Sequence, residues 1–253
     1  MSSEKDNAEL SSASAVESPP PLEPRIHPVS RDDLLRAAGD PALTGDQALA
    51  LLRRADLPPE VLEQLSKNGH VLKLRKVKVA LVCHPHTPRH VSIPLARQFY
   101  TFDLLKVALS PGVPADVRVA VDEVLIARLK AITLGERLSL ARRASGRVAG
   151  SLLLDGEARV MRTALENPRL TEAFVIYAVL RPQAGAAFIQ AVAQHSKWSY
   201  RGEIRIALLR TEYLSLARAL EFSRGLPPPL LREVLHSSRL PARIKDHLLR
   251  ENP

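Results

Sequence analysis

A short pattern with a basic residue at its centre recurs five times along this 253-residue chain. In its clearest copies a polar residue is followed by an apolar residue, the base and two more apolar residues. The central bases, which are 40, 41, 46 and 40 residues apart, are Lys78, Arg118, Arg159, Arg205 and Lys245. Self-similarity at a period of roughly 20 to 50 residues is typical of repeat proteins, whose units bury their apolar faces by stacking. The chain is therefore predicted to fold as a stack of similar units.

The units are predicted to be helical. Leucine-rich stretches between the copies, such as residues 102–109 and 229–235, place apolar residues three and four positions apart, as one face of an α-helix requires. Residues 71–79 alternate like a β-strand, but the aligned copy at residues 116–125 has helical spacing, so a helix is predicted there too. We expect an all-α chain with two to three helices of about 8 to 14 residues in each unit.

The stretch from residue 113 to residue 125 resembles the second helix of a HEAT repeat, in which a proline or an acid precedes Val-Arg and then Ala and Leu at helical spacing. Residues 199–209 and 240–249 are similar but looser. The resemblance covers about residues 30–250 and implies an α-solenoid of the HEAT/armadillo class with a period of about 40–46 residues. Units with a third helix would be closer to armadillo-like or leucine-rich-variant repeats. HEAT-like solenoids serve mostly as scaffolds, and a minority are DNA glycosylases or chromophore lyases.

The first 29 residues differ in composition from the rest. They contain five acids, two bases and the run Ser18-Pro19-Pro20-Pro21, and they show no apolar period. Such a segment is predicted to be a disordered acidic, proline-rich tail before a repeat domain at residues 30–253, although the proline run could also be a polyproline ligand. It has no secretory signal pattern. Without its charge of −3, the remaining 34 bases and 22 acids give the repeat domain a net charge of +12.

Composition excludes several classes of protein. The longest uninterrupted apolar run, residues 174–180, is far shorter than the roughly 20 residues of a membrane-spanning helix, so no membrane partner is expected. The single cysteine, Cys83, excludes an intramolecular disulfide and predicts a reducing, cytoplasmic location. Nucleotide-binding, hydrolase and metalloprotease motifs are absent, and the adjacent acids Asp122 and Glu123 would point about 100° apart on a helix. The chain is predicted to be no enzyme and to need no cofactor.

A cluster of histidines beside the cysteine is a weak candidate for a metal site. Its members are Cys83, His84, His86 and His90. A tetrahedral zinc site needs four such ligands at one point, and the spacing permits a partial one. However, His84-Pro85 occupies a turn like that of Asn167-Pro168 in another copy, where no ligands gather. Polar turn residues therefore explain these histidines better than a metal does.

The five register bases have two interpretations. They could line one face of the stack and meet phosphates or an acidic partner. Alternatively, each could bond an acid or a helix carboxyl end in the neighbouring unit and form a structural ladder. The ladder is favoured, because Asp116, Glu157 and Glu203 lie two residues before their bases in three copies.

Other bases and one aromatic pair are candidates for a binding surface. Three bases fall within six residues at two places, and they would form a basic groove if they shared the concave side. Trp198 and Tyr200 could anchor an interface, or Trp198 could pack between two helices. The candidate surface residues are Lys73, Arg75, Lys76, Arg142, Arg143, Arg147, Trp198, Tyr200 and Arg201.

These observations predict a non-enzymatic scaffold that binds another protein through the surface of a helical stack. The excess of positive charge favours a partner with an acidic surface. The alternative is a HEAT-like solenoid that binds nucleic acid through a basic groove. The sequence leaves the identity of the partner and the oligomeric state open.

Overall fold

The structure, a computed structural model, describes residues 30–252. Within that range the chain forms sixteen α-helices, one 3₁₀ turn at Val71–Lys73 and no β-strand, which confirms the all-α prediction. The predicted tail, residues 1–29, lies outside the described residues. None of the helices in the described part is both long enough and apolar enough to cross a membrane. The helices are α1 (Arg31–Gly39), α2 (Gly45–Leu52), α3 (Pro59–Lys67), α4 (Arg75–Cys83), α5 (Arg89–Ala96), α6 (Thr101–Leu109), α7 (Ala115–Arg128), α8 (Leu134–Arg143), α9 (Gly146–Leu152), α10 (Ala158–Leu165), α11 (Glu172–Val179), α12 (Ala186–Gln194), α13 (Gly202–Leu209), α14 (Leu216–Ser223), α15 (Pro228–His236) and α16 (Ala242–Glu251).

The local sequence explains where these helices begin. Thr44 and Thr133 cap α2 and α8 with complete capping boxes, in which the threonine side chain and the Gln or Glu three residues later satisfy each other's backbone N–H groups. Five other helices follow a proline at the N-cap, whose ring restricts φ as the chain enters the helix. These prolines are Pro58, Pro88, Pro114, Pro227 and Pro241.

The segment that alternates like a strand in sequence is helical in the structure. Arg75–Cys83 forms α4, and Val77 and Leu81, four residues apart, are fully buried on it. Val79 and Val82 are also buried, but they belong to a second hydrophobic cluster. Because α4 contacts a hydrophobic cluster on each of two sides, apolar residues alternate with polar ones along part of its sequence, although the backbone is helical.

The five register bases lie on every third helix, namely α4, α7, α10, α13 and α16. Each of these helices packs against the helix two positions before it. The first four also pack against the helix two positions after them. The same pair of contacts thus recurs at intervals of three helices, as expected for stacked units in a helical solenoid.

Helices two positions apart are joined at their carboxyl ends by a recurring hydrogen-bonded turn. In this turn one side chain accepts the N–H of the residue two positions later and also donates to a carbonyl at or just past the end of the helix two positions earlier. We call these side chains the bridging residues: Asn68, His84, Asn167 and Ser238. The last carbonyls of an α-helix have no partner within the helix, so each bridge satisfies a group that would otherwise be unpaired.

The apolar core follows the stack in two clusters. A smaller cluster is built from residues between Leu34 and Val91, and a larger one from residues between Val79 and Leu248. Leu95 packs against both, and α4 supplies buried residues to each. The two clusters are therefore adjacent parts of one stack.

Candidate binding surfaces

A groove between α2, α4 and α6 has a volume of about 840 Å³. Arg75 and Lys76, two of the candidate surface bases, line it. However, Arg75 Nε and Nη2 donate to the two carboxylate oxygens of Asp103 at 2.6 and 2.9 Å. This hydrogen bond raises the pKa of Arg75. With Asp46 also in the lining, the groove carries charges of both signs and is no uniform basic surface.

A second groove, between α8 and α10, is strongly basic. It has a volume of about 350 Å³ and is lined by Leu138, Ser139, Arg142, Arg143, Arg159 and Thr163. Among residues 30–252, no carboxylate lines this groove, and none of its three arginines forms an ion pair. All three arginines are exposed. We call this site the arginine groove.

The three bases of the predicted cluster, Arg142, Arg143 and Arg147, do not line the same groove. Arg147 lies on α9 and its Nη2 bonds Glu123 Oε1 at 3.1 Å. It lines a different groove, of about 510 Å³, beside Tyr177 and Arg181 of the α11 region. The arginine groove instead contains Arg159, which belongs to the register bases. The remaining candidate, Lys73, is exposed in the 3₁₀ turn.

The register bases differ in their contacts. Arg205 Nε donates to the carbonyl of Ser199 at 2.7 Å, and Lys245 Nζ donates to the carbonyl of Ser238. Both acceptors lie in the loop that precedes the base's own helix. Lys78, Arg118 and Arg159 form no side-chain hydrogen bond and no ion pair with another described residue.

Trp198 and Tyr200 have different environments despite their proximity in sequence. Trp198 is only 2% exposed, and its Nε1 donates to the carbonyl of Leu165 at 2.9 Å. It therefore packs between helices and joins the end of α10 to the loop after α12. Tyr200 is 73% exposed, and Arg201 beside it is exposed as well.

Exposed tyrosines in three parts of the stack each carry an arginine on the ring. The guanidinium carbon lies 5.1 Å from the ring centroid in the Arg75–Tyr100 pair, 5.0 Å in Arg181–Tyr177 and 5.9 Å in Arg205–Tyr200. Tyr100 is 71% exposed and Tyr177 is 63% exposed. We call these the Arg–Tyr pairs.

Sequence reasoning missed Tyr100, Tyr177 and Arg181. Tyr177 on α11 and Arg181, two residues past its end, are four residues apart, a spacing that predicts contact and could have been recognised. Arg75 and Tyr100 are separated by a whole helix, so no local pattern connects them.

The candidate metal ligands are bound to backbone groups or lie apart. His84 is buried, its Nδ1 accepts the N–H of His86, and its Nε2 lies 2.8 Å from the carbonyl of Arg54. Because a carbonyl only accepts, Nε2 carries the proton and both ring nitrogens are used. Burial raises the pKa of the Cys83 thiol. In residues 30–252 no group of three His, Cys, Asp or Glu side chains is placed to hold a metal ion.

One buried carboxylate is incompletely satisfied. Asp122 on α7 accepts a 2.7 Å hydrogen bond from the hydroxyl of Ser145, the N-cap of α9, through Oδ2. Its Oδ1 is buried and has no hydrogen-bond partner among the described residues. Burial raises the pKa of Asp122, and the Ser145 hydrogen bond and the positive charges of Arg147 and Arg118 oppose that shift.

No protein-family model, curated protein or solved structure shows significant similarity to this chain.

Proposed function

We propose that this protein is a non-enzymatic scaffold that binds a protein partner with an acidic surface. The scaffold is an α-solenoid of the HEAT/armadillo class with a period of about 40–46 residues. The recurrence of the same helix contacts at intervals of three helices supports units of the three-helix, armadillo-like kind. Stacked helical units offer an extended surface that is commonly used to bind proteins.

The observation that carries this proposal is the set of three Arg–Tyr pairs. Aromatic residues make up only 4% of the chain, yet Tyr100, Tyr177 and Tyr200 are each more than 60% exposed. Tyrosine and arginine are enriched among the residues that dominate the energy of protein interfaces. An arginine held over a tyrosine ring loses little further side-chain entropy when a partner binds. The net charge of +12 on residues 30–253 selects for partners of opposite sign.

The same positive charge supports nucleic acid as a second candidate ligand, with the arginine groove as its phosphate contact. A nucleic acid requires cations along a continuous track. Several bases elsewhere on the stack are neutralised by acids, as in Arg75–Asp103, Arg137–Asp155 and Arg147–Glu123. These pairs interrupt such a track and favour the protein partner.

Affinity capture with tyrosine variants tests the proposal. Full-length tagged protein is incubated with nuclease-treated native lysate, and retained proteins are quantified by mass spectrometry. We expect the wild type to retain one protein in a stoichiometric amount, and Tyr177→Ala or Tyr200→Ala to reduce its recovery at least about tenfold. Tyr213→Ala is the matched control, because Tyr213 is exposed and forms no Arg–Tyr pair.

Two results would contradict the scaffold proposal. One is that the protein retains only nucleic acid from an untreated lysate and retains no protein from a nuclease-treated lysate. The other is tight binding of a DNA duplex at 50 mM salt that falls steeply as salt rises and is lost on replacement of the arginine groove.

A further inference from the structure

We infer that the arginine groove between α8 and α10 binds a phosphorylated side chain of the partner. This inference rests on the proposed function and assigns one part of the surface to a chemical group. It concerns Arg142, Arg143 and Arg159, whose side chains come from two helices and line one open groove.

Among the described residues, no carboxylate balances the positive charge of the groove. Glu157, two residues before Arg159, does not line the groove and forms no ion pair with the three arginines, and two other acids nearby along the chain are bound elsewhere. Asp155 accepts two 2.7 Å hydrogen bonds from Arg137, and Glu136 accepts from the backbone and hydroxyl of Thr133. Three exposed guanidinium groups therefore remain available to an external anion.

The charge and oxygens of a phosphate match three arginines better than those of a carboxylate. A phosphorylated Ser or Thr carries about −1.5 to −2 charges at neutral pH and has three acceptor oxygens. Arginine presents donors in a planar fork that matches such oxygens, and arginine clusters are a recurring means of binding phosphorylated segments. A single carboxylate offers one charge and two oxygens, so it would leave more of the arginine charge unmatched than a phosphate does.

The other residues that line the groove are small or polar, apart from one leucine. Ser139 contributes a hydroxyl, and Leu138 is the one apolar lining residue among those described. No aromatic ring in the described residues lines the groove, whereas binding of single-stranded nucleic acid usually requires rings on which bases stack. A volume of about 350 Å³ accommodates one phosphate group and its flanking residues. The lining therefore fits a peptide phosphate better than a nucleotide.

The proposal is tested by titrating full-length protein, labelled at arginine Nε, with three synthetic peptides that differ at one position: phosphoserine, glutamate or serine. We expect the phosphoserine peptide to shift the Nε–Hε signals of Arg142, Arg143 and Arg159 and to bind at least about tenfold more tightly than the glutamate peptide. Arg142→Gln and Arg159→Gln should each weaken binding about tenfold. Arg232→Gln, at an exposed arginine on α15, is the control and should change nothing.

The pH dependence of the titration also distinguishes binding of a phosphate from binding of any negative charge. The second phosphate pKa is about 6, so affinity for the phosphoserine peptide should rise between pH 5 and pH 7. Equal affinity for the phosphoserine and glutamate peptides would overturn the inference. So would tighter binding of a single-stranded oligonucleotide at the same three arginines.

Failure here can be distinguished from failure of the scaffold proposal. If no peptide binds but protein capture still depends on Tyr177 and Tyr200, the scaffold stands and the phosphate site is wrong. Because all three arginines are exposed, their glutamine variants should fold normally, and circular dichroism melting checks this directly.

Discussion

The imidazole of His84 and the carboxamide of Asn167 form the same two hydrogen bonds at the ends of α4 and α10. Each accepts the N–H two residues later, at 3.2 Å for His84 and 2.7 Å for Asn167. Each also bonds a carbonyl at the end of the helix two positions earlier, at 2.8 Å in both cases. An imidazole with its proton on Nε2 thus has the same donor and acceptor arrangement as an amide.

His84→Asn should therefore retain most of the stability of the protein, whereas His84→Ala should lower the free energy of unfolding by about 1 to 3 kcal/mol. The alanine variant leaves the Arg54 carbonyl and the His86 N–H without their partner. Urea denaturation followed by circular dichroism measures both variants. His90→Ala, at an exposed histidine, should change stability by less than about 0.5 kcal/mol. Equal losses in the asparagine and alanine variants would contradict the bridging role.

Asp122 should make folding less favourable as pH rises. Its pKa is raised by burial in the folded protein, so the folded state holds the proton more tightly than the unfolded state. The loss of stability begins near the ordinary aspartate value of about 4 and is complete above the raised pKa. Asp122→Asn removes this titration and can still accept from Ser145. The variant should gain stability relative to wild type between pH 4 and pH 7.

Denaturation curves collected across that pH range check the Asp122 prediction. Asp116→Asn, at an exposed acid on the same helix, is the control and should show no comparable gain. A wild type whose stability rises over this interval by more than that of Asp122→Asn would contradict it.

Gly146 and Gly135 should respond oppositely to alanine. A methyl group at Gly146, the first residue of α9, would collide with the backbone carbonyl of Arg169. Gly146→Ala should destabilise by about 1 to 3 kcal/mol, since a backbone must shift. Gly135 in α8 has no atom within 4 Å of that position, so Gly135→Ala should stabilise by about 0.5 to 1 kcal/mol through helix propensity. Thermal melting of the two variants shows whether the signs differ.

Trp198→Phe should destabilise by about 1 to 3 kcal/mol, because the carbonyl of Leu165 loses its buried donor and the smaller ring leaves space. Urea denaturation measures the loss. If Trp198 were a surface anchor, the same change would leave stability intact and affect only partner capture. Tyr200→Ala, at the exposed neighbour, provides that contrast.

Sequence patterns were enough to predict that the chain is helical and where several of its helices begin. The prolines before α7 and α16 were predicted from their own neighbourhoods. The helix at Arg75–Cys83 was predicted from the aligned copy at residues 116–125, because its own pattern alternates like a strand. His84 was predicted to be a turn residue from its likeness to Asn167, and the structure shows that the two share their hydrogen bonds. These features depend on backbone preferences over a few residues, which the sequence carries directly.

The composition of the surface sites could not be predicted in the same way. Arg159 joins Arg142 and Arg143 because α8 packs on α10, whereas Arg147, only four residues beyond Arg143, follows the turn into α9 and meets Glu123. Such groupings depend on how helices two positions apart are aligned. The spacing of the five bases along the sequence does not show which side of each helix faces a groove.

The bridging residues also have a mechanical consequence. Each bridging residue links the end of one helix to the end of the helix two positions earlier, and the main contacts between helices are equally local. No strong contact ties the first helices to the last among those described, so tension applied along the stack is carried from one neighbour to the next. When its two ends are pulled apart, such a protein should lengthen gradually. It should release length in successive small steps, each set by the weakest remaining link, rather than in one rupture.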